Sequence, residues 1–123
     1  LDPLPPQGLI PYSERWVASN LLGHAAFGGG VVATYEIDGR RGELFFSELE
    51  NDAVAREVLD SYRREKERWA ELADTPAGFR FQESESRSGT VLRSGRFVTG
   101  VHGELSVDAQ DELLERLFDR LAN

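Results

Sequence analysis

The chain holds 123 residues, enough for one domain with an ordinary core and too few for two. Its hydrophobic share of 40% and charged share of 29% are those of a globular protein and exclude wholesale disorder. A net charge of −8 sets it against phosphate backbones and anionic lipid, and the absence of cysteine excludes a disulfide framework, a thiolate nucleophile and a cysteine metal site.

Pro3, Pro5, Pro6 and Pro11 keep the first twelve residues out of a regular helix or a central strand. Residues 1–8 read as a Pro-rich arm or linker, and the arm is expected to dock through Leu9, Ile10 and Tyr12. Residues 9–123 read as a single domain. Ser13 can cap a short helix over residues 14–22, ending near Gly23; an irregular segment is the alternative. Gly28, Gly29 and Gly30 then lead into a strand, Val31 to Ile37, with alternating faces. Asp38-Gly39 signals a hairpin turn, and Glu43 to Leu49 is the returning strand.

Asn51 or Asp52 caps a helix predicted to run to about Leu72. Val54, Ala55, Val58, Leu59 and Tyr62 make its apolar stripe. The stripe lapses at Glu65 and Lys66 and resumes at Trp69 and Leu72, so the second half is expected to project past the sheet or to be covered by the Lys66 stem. Asp74 to Gly78 reads as a turn. Short strands follow over residues 79–86, 90–93 and 96–102. Ser106 caps a last helix whose buried stripe is Leu113, Leu114, Leu117, Phe118 and Leu121. The order ββ-α-βββ-α predicts an α+β fold: a mostly antiparallel sheet with both helices packed on one face.

No motif carries chemistry. The Gly28–Gly30 run precedes a strand, whereas a phosphate loop follows one and opens a helix. No serine sits in a nucleophile elbow, and no Cys/His set marks a metal. No cofactor is expected. His24 and His102 are the only imidazoles; a pocket joining them is the basis of the alternative reading, a small-ligand-binding protein or small enzyme, with Arg96 beside them. The basic run Arg63, Arg64, Lys66 and Arg68 is interleaved with Glu65, Glu67 and Glu71, so it reads as a solvated helix face and not as a nucleic-acid footprint.

The binding candidates are Trp69, Arg80, Arg93, Arg96 and His102. Arg80, Arg87, Arg93 and Arg96 lie on adjacent predicted hairpins and are expected to share one sheet face, an anion or acidic-partner site. Trp69, on the projecting helix end, is the preferred anchor of a partner surface. Tyr12, Trp16 and Phe27 are expected to pack within the chain.

No apolar run approaches the roughly 20 residues of a membrane span. The chain has no methionine and opens on Leu1, which reads as a processed product or a piece of a longer one, with a removed signal peptide as one route. Thirteen of the 14 basic residues are Arg, a bias that fits GC-rich bacterial coding.

The stretches LIPYSERWVASNLLG, VVATYEIDG, NDAVAREVL and GRFVTGVHG, followed by a terminal helix, resemble an uncharacterised bacterial family of small envelope or lipoprotein-type domains. The resemblance covers most of residues 8–121. It implies an exported location, periplasmic or extracellular, and brings no catalytic residues; a cytoplasmic location is the alternative. The expected function is a non-enzymatic binding or accessory domain, a protein-interaction module or subunit with a protein partner and no nucleic acid.

Overall fold

The computed structural model describes residues 4–17 and 29–122. Seven strands form one antiparallel sheet: β1 (Arg15–Val17), β2 (Gly30–Ile37), β3 (Arg40–Glu48), β4 (Glu71–Thr75), β5 (Gly78–Gln82), β6 (Ser88–Ser94) and β7 (Phe97–Gly103). Two helices join them, α1 (Asp52–Lys66) between β3 and β4, and α2 (Val107–Ala122) after β7. The spatial order is β1-β2-β3-β7-β6-β5-β4. The fold is α+β, as the sequence pattern predicts.

Both helices pack on the sheet, but on opposite faces. Residues paired across antiparallel strands share a face, and successive residues alternate. Val32 pairs with Phe45, and Phe79 with Val91; these residues form one core with Ala55, Val58 and Tyr62 of α1. Ala33 pairs with Leu44, and Leu44 with Val101; these form a second core with Ala109, Leu113, Leu114 and Leu117 of α2. The expected single helical layer is therefore a layer on each side. The run Leu44-Phe45-Phe46 is apolar on both faces because both faces are covered.

The hairpin β2–β3 turns on Asp38 and Gly39 with φ of 55° and 76°. Two successive positive φ values are those of a type I′ turn, whose twist matches the strands it joins. Asn51 caps α1, its Oδ1 accepting from the Val54 amide at 2.9 Å. Ser106 caps α2 by accepting from the Ala109 amide at 3.2 Å. Inside the second core, Gln110 is 1% exposed yet satisfied: it accepts from Thr90 Oγ1 and donates to Ser88 Oγ and the Leu105 carbonyl.

Three expectations change here. The helix α1 stops at Lys66 instead of running to Leu72, and Glu71–Thr75 form the strand β4. Leu72 pairs with Phe81 and lies under α1, so the resumed apolar stripe is a strand residue of the same core. Arg15–Val17 are a short edge strand on β2, not the start of a helix; residues 18–22 of that expected helix lie outside the described residues.

The arm is docked, though not through Tyr12. Leu4 is buried in the second core, and the amide of Ile10 donates to the Thr34 carbonyl. Tyr12 is 99% exposed at a φ of 65°, and the next residue, Ser13, returns to β2, its Oγ accepting from the Thr34 amide at 3.1 Å. Buried Tyr35 Oη donates to the Pro5 carbonyl at 2.6 Å. Tyr35→Phe orphans that carbonyl and should cost about 1.5 kcal/mol in urea unfolding, with faster proteolysis within the arm. Equal midpoints and equal cleavage for the two chains would show that the arm is held without this bond.

Candidate functional site

Among the described residues β4, like β1, is an outer strand of the sheet. It ends the sheet opposite β1 and, among the described residues, pairs only with β5. Along such an edge, alternate residues direct their N–H and C=O groups outward, unpaired. The turn of residues 67–70, which links α1 to β4, carries Trp69 to this edge with 58% of its surface exposed.

Three surface grooves have β4 residues in their walls. One, of about 570 Å³, runs beside Trp69 and is lined by Glu67, Glu71, Glu83 and Glu85 with Arg68. A second, of about 510 Å³, lies between α1 and the β4–β5 turn, with Arg56, Arg63 and Arg93 facing Asp60 and Asp74. A third, of about 230 Å³, opens on the α2 face between Glu71, Ala73, Arg80 and Val107.

The ground under the edge is firm. Lys66 is the only lysine of the chain, and its side chain is 13% exposed. Its Nζ sits 4.4 Å from the Phe81 ring centroid and donates to Glu83 at 3.1 Å. Its stem thus covers the end of the core, one of the two arrangements the sequence pattern allows. Arg63 ties α1 to β4 by donating to Asp74 at 2.9 Å. That hydrogen bond is the main cause that holds the Arg63 guanidinium above its ordinary value.

Of the five binding candidates, Trp69, Arg80 and Arg93 come to the β4 grooves, one in each. The expected shared arginine face does not exist. Arg80 pairs with Thr90 on the α2 face, and Arg93 pairs with Val98 on the α1 face. Arg87 and Arg96 sit in turns at opposite ends of the sheet. Arg80 is a strut: it donates to Asp111 of α2 at 2.9 Å. Arg93 donates to the Gly95 carbonyl at 2.7 Å. Arg96 is ion-paired with Glu48 and lies over the Phe97 ring.

His102 lies on the α1 face of β7, opposite Glu43 of β3. Its Nε2 is buried with no hydrogen-bond partner among the described residues, and Glu43 Oε1 stands 3.7 Å away, beyond hydrogen-bond length. His24, its expected companion, falls outside the described residues, as does Phe27. Burial holds the His102 imidazole below its ordinary value; Glu43 opposes this, and Lys66 adds to it. The unfolded chain therefore takes up the proton more readily than the folded one. The neutral imidazole leaves stability intact above about pH 6.5, and stability falls as pH drops below that, levelling once the folded form also protonates. In His102→Gln this loss should vanish from urea unfolding followed between neutral and mildly acid pH. An unchanged slope would place the proton uptake elsewhere.

Trp69 is the one residue of the β4 edge that stands out in the sequence. Tyr12 and Trp16, expected inside, are also exposed, Trp16 at 70%. Among the described residues no group of three or more His, Asp or Glu is placed to hold a metal ion, and no helix is long and apolar enough to cross a membrane. No protein-family model matches the chain, and no curated protein sequence matches it at a significant level.

Proposed function

We propose that this chain is a protein-interaction module that receives an extended segment of a partner protein along the free edge of β4. One observation carries the reading: an unpaired five-residue edge strand, β4, is flanked by an exposed Trp69 and bordered by three grooves. Main-chain hydrogen bonds to such an edge supply affinity, and side-chain grooves beside it supply specificity. A large aromatic half in solvent is the residue type that anchors interfaces.

The module serves an assembly of the bacterial envelope; that location rests on the family resemblance alone. A photoreactive phenylalanine analogue at Ala73 or Trp69 of the protein in its native host should cross-link to a partner, while the same group at Tyr12 should not. Cross-links from Tyr12 alone would move the interface to the β1 edge and end this reading.

A further inference from the structure

We infer that the segment received along β4 is basic, with a lysine or arginine side chain seated between Trp69, Glu71 and Glu85. The inference rests on the proposed strand-addition site and adds the chemistry of its occupant.

The groove beside Trp69 has four carboxylates and one guanidinium in its walls. Two of those acids are already used, Glu83 by Lys66 and Glu67 by Arg63. Glu71 and Glu85 have no ion pair among the described residues. Glu71 belongs to β4 itself, so a side chain entering the groove from an added strand meets it at strand spacing. Trp69 closes one side; the Lys66 ammonium already lies 6.0 Å from its ring centroid, and its 58% exposure leaves indole surface to attract a second cation. The net charge of −8 adds a long-range pull on a cationic segment.

The same charges argue against a second copy of this chain. Glu71 of β4 and Glu85 beside it carry no ion pair among the described residues, so a second copy meeting this edge would bring unpaired carboxylates together. A basic strand relieves that repulsion.

The test is titration of the full chain with synthetic peptides of about nine residues, alternating lysine with valine and threonine, against a matched series with glutamate for lysine. Hydrogen exchange at residues 71–75 reports whether β4 is the place of binding. The basic series should bind, protect β4, and weaken as salt is raised. Trp69→Ala should weaken it about thirtyfold. Glu71→Lys should weaken it about tenfold and improve the acidic series. If both series bind and protect β4 equally, the charge inference falls and the strand-addition site stands. If the basic series binds without protecting β4, the site reading falls with it. Failure of the basic series to bind, or β4 protected by self-association of the free chain, overturns the inference.

Discussion

A chain carrying Gly78→Ala is expected to unfold about 3 kcal/mol more easily than the native one, a drop of roughly 10 °C in midpoint. Gly78 opens β5 and pairs with Thr75 on one side and Leu92 on the other. A Cβ at this position would lie 1.9 Å from the Val91 carbonyl oxygen. That oxygen is backbone in the middle of the sheet and cannot swing away as a side-chain tip could. The strands must part, and overpacking that moves backbone sits at the costly end of its range. The site should suffer as well, since among the described residues β5 is the only strand that pairs with β4. Gly39→Ala is the comparison: its Cβ meets nothing within 4 Å, and only the φ of 76° penalises it, by about 1 kcal/mol. Equal losses for the two variants would show that β5 and β6 are not in the close contact described.

Leu113→Ala should cost as much or more, about 3 to 5 kcal/mol, for a different reason. Leu113 of α2 is fully buried in the second core, packed with Leu44, Val101, Leu114 and Leu117. Truncation removes its transfer energy and leaves a cavity. A loss of this size is a large fraction of the stability of an ordinary domain. Leu113 stands away from the β4 edge, so the fraction that remains folded should bind a partner normally. The pair of variants thus separates stability from function: Gly78→Ala loses both, Leu113→Ala only the first. Impaired binding by folded Leu113→Ala molecules would mean that the α2 layer contributes to the interface.

The parts legible in the sequence are those fixed by local rules. The β2–β3 hairpin follows from alternation and Asp38-Gly39, and both helix starts follow from Asn51 and Ser106. What local rules do not reach is the assembly. Leu72 continues the helical spacing of Tyr62 and Trp69, yet it lies under α1 as a strand residue. Only the lapse at Glu65 and Lys66 marked where α1 ends. β4 itself, Glu-Leu-Ala-Asp-Thr, has a single large apolar residue because an edge strand covers little core. The opposite placing of the helices turns on register: Phe45 and Leu44 are neighbours in sequence and belong to different cores.

Of the site, Trp69 could be named because a large aromatic outside the apolar pattern stands out. The arginines misled because side-chain direction reverses with each residue. Arg80 and Arg93 are both on strands of one hairpin, yet they point to opposite faces. The carboxylates around Trp69 were hidden among 22 acids, and only the meeting of β4, the β5–β6 turn and the end of α1 collects them.

The most direct measurement is amide hydrogen exchange of β4 in the protein isolated with its native partner and again after the partner is removed. Strand addition predicts that the outward-facing amides of residues 71–75 exchange quickly in the free chain and slow sharply in the complex, while β1 is unchanged. Exchange at β4 that is equally fast with and without the partner would contradict the account.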